Sequence, residues 1–213
     1  KGKVEHLFHL AAIYDLSADA ASQEKSNIDG TRHAVQLAGA IQAGCFHHVS
    51  SIAAAGLYRG TFSEDMFEEA EELDHPYHRT KHDSEAMVRA NGRVPFRVYR
   101  PGAVLGHSPT GFIDKIDGPY YFFKALQKLR ESWPRSIPLV GIEGGYINVV
   151  PVDFVVDALV HLSHQPKLDG RCFHLTDPKA RRVGEVLNVF ARAAHAPEMA
   201  FRLDSKIFDM VPD

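Results

Sequence analysis

Tyr77 and Lys81 stand four residues apart in Asp74-His75-Pro76-Tyr77-His78-Arg79-Thr80-Lys81-His82. On a helix that spacing puts a phenol and an ammonium on one face, one turn apart. A phenol with an ordinary pKa of about 10 is a poor acid near neutrality. A lysine ammonium beside it favours the phenolate, lowers that pKa and suits the pair to proton exchange with a carbonyl or an alcohol. The same spacing arises by accident on exposed helices, so its meaning depends on the elements around it. Asp74 reads as the cap of this helix, Pro76 as a first-turn residue and Gly92 as its end.

Strand ends must bring further groups to such a pair. Val4 to Ala12 reads as a strand finishing in small residues, as a parallel strand must if a ligand is to approach its carboxyl end. Ile28, Val35, Ala38 and Ile41 recur at helical spacing and predict a helix over 22–43, closed by Gly44. Phe46 to Ser51 is a second strand, although His47 and His48 make it less apolar than a strand covered on both faces. An acidic segment, 64–74, reads as a solvated loop or short helix. Phe96 to Arg100 is a third strand, broken by Pro101-Gly102. Val149 to His164 is a strand edge and helix, Cys172 to Leu175 a fourth strand and Val183 to Ala194 a last helix. Strands and helices alternating in steps of this size imply right-handed crossovers and a parallel α/β sheet. Between them, 107–148 is rich in glycine, proline and aromatics. Its helix near 119–132 carries Tyr120, Phe122, Phe123, Leu126 and Leu129 and reads either as a pocket wall or lid, or as an ordinary packed helix.

With 213 residues, 45% of them apolar and 24% charged, the chain can bury a core of its own. The net charge of -3, without a basic run, gives no basis for nucleic-acid binding. No apolar stretch approaches the ~20 residues that cross a bilayer, and no cationic-then-apolar leader opens the chain, so it reads as cytoplasmic. Cys45 and Cys172 fall in strand segments and read as buried thiols. His78 with His82, and His161 with His164, lie one turn apart, but no carboxylate or cysteine completes a ligand set, and no metal is expected. The opening Lys1-Gly2-Lys3, lacking methionine and running straight into a strand, reads as a piece of a longer protein.

Five features then occur in order: Leu10-Ala11-Ala12 at a strand end, Asn27-Ile28-Asp29-Gly30-Thr31 in the next helix, Ser50-Ser51 at the following strand end, Tyr77-x3-Lys81, and Arg100-Pro101-Gly102. Together they resemble an extended short-chain dehydrogenase/reductase. Further stretches, His9 to Asp15, Val49 to Leu57, Asp117 to Phe123 and Val150 to Ala158, are similar to the first domain of two-domain, alcohol-forming bacterial fatty acyl-CoA reductases. That resemblance implies the second half of a Rossmann-type doubly wound parallel sheet with a small C-terminal substrate region. It divides the chain into 1–106, carrying the catalytic and part of the cofactor site, a pocket or lid segment at 107–148, and a returning strand with C-terminal helices at 149–213. No Gly-x-x-Gly-x-x-Gly occurs, so the pyrophosphate-binding half is expected upstream of Lys1 and a second reductase domain downstream of Asp213.

The resemblance also implies roles. Hydride from NADPH (or NADH) goes to a carbonyl carbon of a fatty acyl substrate while Tyr77 gives a proton to the oxygen and Ser51 hydrogen-bonds it. Lys81 depresses the Tyr77 pKa and holds the nicotinamide ribose, and Asn27 supports the proton relay through backbone and water. Ala11, Ala12, Ser50, Pro101, Gly102 and Val104 border the cofactor. Tyr120, Phe122 and Phe123 are the expected wall of an acyl channel. The same fold and triad would serve a sugar-nucleotide epimerase or dehydratase, or a hydroxysteroid- or dihydroflavonol-type dehydrogenase, and a non-catalytic cofactor sensor could keep the fold alone.

Overall fold

A computed structural model of the protein describes residues 3–13, 19–114, 118–133 and 139–204. Tyr14, Asp15 and Asp117, quoted above within two of the similar stretches, lie outside them. In chain order the elements are β1 (His6–His9), α1 (Ala20–Gln23), a π-helical turn (Glu24–Asp29), α2 (Gly30–Ala40), β2 (Cys45–Val49), a 3₁₀ turn (Ile52–Ala55), α3 (Pro76–Arg89), β3 (Phe96–Pro101) and β4 (Ala103–Leu105). A second 3₁₀ turn (Gly118–Tyr121) leads into α4 (Phe122–Ser132), then β5 (Leu139–Glu143), β6 (Tyr146–Ile147), β7 (Val149–Pro151), α5 (Val152–His164), β8 (Cys172–Leu175), β9 (Arg181–Arg182), α6 (Val183–Ala193) and β10 (Met199–Asp204). The chain forms two units, one from 1–109 and 150–176, the other from 110–149 and 177–213.

In the first unit four parallel strands run in the order β1-β2-β3-β8. Phe46 and Val98 point to one face and pack with Ala38 of α2 and Val88 of α3. Tyr99 and Leu175 point to the other and pack with Val155 and Leu159 of α5. Helices on both faces make the sheet a doubly wound, Rossmann-type one. The register sets His9 beside His48 and Val49 beside Tyr99, so the chain leaves β1, β2 and β3 along one carboxyl rim.

β2 is buried from Cys45 to His48, its two histidines included. His47 is satisfied by neighbours from both flanking strands, its ring nitrogens meeting His6 Nδ1 and the Tyr99 hydroxyl at 2.9 Å each. Burial, with His6 next, pushes its pKa down to about 4, so it stays neutral. Both cysteines are free and buried, and desolvation lifts their thiols to about 11 for Cys45 and about 12 for Cys172.

Three expected boundaries move. The helix predicted over 22–43 is two α-helices joined by the π-helical turn, and its left-handed terminal residue is Gln42 (φ 52°). Gly44 serves close approach instead, since a Cβ there would lie 2.7 Å from the Glu5 carbonyl oxygen. β1 is shorter than expected and stops at His9.

In the second unit β5 pairs with β10 in parallel and β6 with β9 antiparallel. Tyr120 and Phe123 stack with Phe190 of α6, at centroid separations between 5.0 and 6.0 Å. Phe122, Leu126, Leu129, Leu187, Ala191 and Met199 line an apolar groove of about 250 Å³. No helix among the described residues is long and apolar enough to cross a membrane.

Candidate active site

α3 begins where Pro76, at its first position, fixes φ without sacrificing a helical hydrogen bond. Its cap is His75, not Asp74: the His75 Nδ1 accepts the Tyr77 N–H at 3.1 Å. The buried stripe of α3 is Tyr77, Thr80, Lys81, Ser84, Glu85 and Val88. The spacing is that of a core face but the residues are mostly polar, and polar groups that leave water need partners.

Most of those partners come from the rim of the sheet. Lys81 Nζ donates to the Val49 carbonyl at 3.4 Å, Ser50 Oγ donates to Glu85 Oε2 at 2.8 Å, and His82 Nδ1 contacts the Ala54 carbonyl at 3.0 Å. Three bonds thus fasten 49–54 to α3 at Lys81, His82 and Glu85, and Ser51 lies within the fastened stretch. Ser51 caps the 3₁₀ turn, its Oγ accepting the Ala53 N–H at 3.1 Å. With an acceptor position so used, its own O–H remains to donate.

Asn27 ties in the loop after β1. Its Oδ1 accepts the Ile13 N–H at 2.8 Å, and its Nδ2 donates to the Ile13 carbonyl at 3.3 Å and to Thr80 Oγ1 at 3.1 Å. It lies in the π-helical turn, where its side chain is 2% exposed. Such wide turns concentrate at functional sites. His9 joins the same corner through Thr31 Oγ1 at 2.9 Å, and Thr31 Oγ1 donates to the Asn27 carbonyl at 2.6 Å.

Burial dominates the electrostatics. Desolvation lowers the Lys81 pKa to about 8 against the opposing pull of Glu85. The Lys81 charge adds to burial in holding His9 and His48 neutral. Glu85 and Arg100 are both fully buried, and Glu85 also accepts Arg89 Nε at 2.8 Å. Desolvation pushes the Glu85 pKa up, but the hydrogen bonds and charge of Arg100, with Ser50 and Arg89, outweigh it and the net shift is downward.

Tyr77 and Lys81 share the buried face of α3, and Ser51 and Asn27 are attached to that helix through the bonds above. Ser50 is 3% exposed and its hydroxyl donates to Glu85, so that hydroxyl braces the strand end. Ala11 and Ala12 are exposed, Pro101 and Gly102 are buried, and Val104 is half-exposed. The Gly102 N–H donates to the Leu175 carbonyl at 3.1 Å. The aromatics Tyr120, Phe122 and Phe123 belong to the second unit. Among the described residues no three His, Cys, Asp or Glu side chains converge as metal ligands.

From the sequence, Glu85 and Thr80 carry no role, Arg100 enters only as part of a motif and His82 only as a metal ligand weighed and set aside. A signal existed for one of them: Lys81, Glu85 and Arg89 continue the four-residue spacing begun by Tyr77. The residues present suit a dinucleotide. Two methyl side chains follow β1, and Lys81, with one long hydrogen bond among the described residues, keeps N–H groups for ribose hydroxyls.

The family described as Male sterility protein, an NAD-binding family, matches residues 1–159. The chain is 29% identical over 187 residues to the non-canonical nonribosomal peptide synthetase hkm10 of Aspergillus hancockii, covering 81% of this chain and 17% of that protein. It is 28% identical over 183 residues to the aldehyde reductase lnbA of Aspergillus flavus, covering 81% and 18%. The crystal structure of the terminal R domain from the myxalamid PKS-NRPS pathway superposes with a TM-score of 0.73 at 25% identity, over 94% of this chain and 50% of that one. RMD from Pseudomonas aeruginosa complexed with NADPH shares the fold, with a TM-score of 0.66 at 16% identity over 94% and 69%. The chain spans less than a fifth of these two curated relatives.

Proposed function

We propose that this chain, which belongs to the Male sterility protein family of NAD-binding, extended short-chain dehydrogenase/reductases, carries the proton-handling half of a reductase that acts on an acyl carbonyl. The substrate is a fatty acyl thioester or the aldehyde derived from it, taken towards the alcohol. A bound NADPH or NADH supplies the hydride. Tyr77 gives its proton to the carbonyl oxygen as charge develops there, and Ser51 donates its O–H to the same oxygen. Lys81 holds positive charge one turn from the phenol and offers its remaining N–H groups to the ribose. Asn27 keeps the loop after β1 against Thr80, one residue from Lys81.

The observation that carries the proposal is the fastening of 49–54 to α3 at Lys81, His82 and Glu85, with Ser51 inside it and Tyr77 on the same helix. The aldehyde reductase lnbA, matched over most of this chain, favours an aldehyde or acyl carbonyl over a nucleotide sugar. A second reading has its own support: hkm10, matched over most of this chain, is a peptide synthetase, which favours a thioester delivered on a carrier protein over a coenzyme A ester. Assays of the intact protein with decanal, decanoyl-CoA and a carrier-bound decanoyl thioester, each with NADPH and followed at the nicotinamide absorbance, separate these readings. Oxidation of a nucleotide sugar with no acyl-carbonyl reduction would overturn both.

A further inference from the structure

His82, next to Lys81, has no part in the proton chemistry above, yet its contacts are specific. Its ring lies flat on Phe67, centroids 4.3 Å apart and planes 1° off parallel, and the Arg89 guanidinium carbon sits 4.7 Å from the centroid of the same Phe67 ring. The Ala54 carbonyl 3.0 Å from Nδ1 can only accept, so Nδ1 carries the proton and donates. Ala54 is fully buried in the middle of the turn that Ser51 caps, and the Ala54 N–H in turn donates to the Ser51 carbonyl at 3.0 Å. Beyond the turn, Gly56 closes the following loop at φ +64°, where a Cβ would meet the Glu71 carbonyl oxygen at 1.8 Å.

We infer that His82 is a positioning residue: its Nδ1–H, held in plane by Phe67, fixes the Ala54 carbonyl and thereby the aim of the Ser51 hydroxyl. The alternatives for this side chain are narrow. The Lys81 and Glu85 bonds reach Val49 and Ser50, on the strand side of Ser51, whereas His82 grips the far side of it. Without that grip the side-chain hydrogen bonds between α3 and this stretch, among the described residues, are those at its start, and Ser51 can rotate with the turn while the strand stays in register. Phe67 restricts the imidazole to one plane, so the donor points along the α3-to-turn direction. The inference rests on the role proposed for Ser51.

The test is a double-mutant cycle in the intact protein, assayed with decanal and NADPH. His82→Phe keeps the stacking on Phe67 and removes only the donor. It is expected to lower kcat about tenfold, less than the 10²–10³ of losing an oxyanion donor outright, with KM for NADPH unchanged. In a Ser51→Ala background the same substitution is expected to cost nothing further, because the hydroxyl it aims is gone. Equal losses in both backgrounds overturn the inference and leave the functional reading standing. A Ser51→Ala protein with normal turnover removes the functional reading, and this inference with it. His82→Gln, whose amide supplies an N–H donor, is expected to recover most of kcat and guards against a phenylalanine variant that fails to fold. A folded glutamine variant with the full loss also overturns the inference.

Discussion

Glu85 and Arg100, on neighbouring elements of the first unit, form a two-point ion pair cut off from solvent: Arg100 Nη2 reaches Oε1 at 2.7 Å and Nε reaches Oε2 at 3.0 Å. Arg100 further donates to the Met66 carbonyl at 3.1 Å and lies 5.1 Å from the Phe62 ring centroid. α3, β3 and the loop after the Ser51 turn are thus joined through one guanidinium.

Removing the carboxylate strands that guanidinium. Glu85→Ala is expected to cost about 3–5 kcal/mol in urea unfolding, the range for breaking a buried pair from one side. Because the folded Glu85 pKa lies below its ordinary 4.5, its ion-pair contribution is complete above that value and fades as pH falls through the folded one. The gap between wild type and Glu85→Gln should therefore narrow in acid, and a gap that widens would contradict the assignment.

Lys81 carries the opposite sign. Its folded pKa of about 8 lies below the ordinary 10.5, so between these values the unfolded chain binds more protons and burying the side chain becomes less costly as pH rises. Lys81→Met is expected to be more stable than wild type by a few kcal/mol at neutral pH, with the advantage shrinking from about pH 8 upwards. Thermal unfolding at pH 7 and pH 10 measures both. Carbonyl reduction by the wild type should fall as pH climbs through about 8, where the ammonium is lost.

Tyr77→Phe is expected to reduce kcat for decanal with NADPH by about 10²–10⁴-fold, the worth of a positioned proton donor. Ser51→Ala should cost about 10²–10³-fold. Circular dichroism should show both variants folded, as the phenylalanine ring keeps the buried volume of Tyr77 and Ser51 is only partly buried. Turnover within twofold of wild type for either would remove that residue from the mechanism.

The parallel sheet was legible because strand and helix patterns alternate at the right spacing, and Tyr77 with Lys81 was legible because both lie on one helix face. What stayed hidden depended on partners distant in sequence. His47 looks too polar for a buried strand until His6 and Tyr99 are placed beside it. Ser50 and Ser51 were told apart only through the family resemblance; the structure turns one towards Glu85 and leaves the other at the turn. The π-helical turn at Asn27 has no periodic signature, because one extra residue in a turn leaves the apolar spacing on either side intact. The aromatic run at Tyr120 to Phe123 was open to two readings, and Phe190, some seventy residues on, takes up two of its rings.

The second unit is assembled from two separated stretches, 110–149 and 177–213, while α3 and the strand ends fastened to it fall wholly in the first. Natural variation in those two stretches can therefore accumulate without disturbing the bonds that organise Ser51, Tyr77 and Lys81. Transplanting both stretches together from a relative is the exchange this layout permits, whereas moving either alone would break the β5–β10 pairing that joins them.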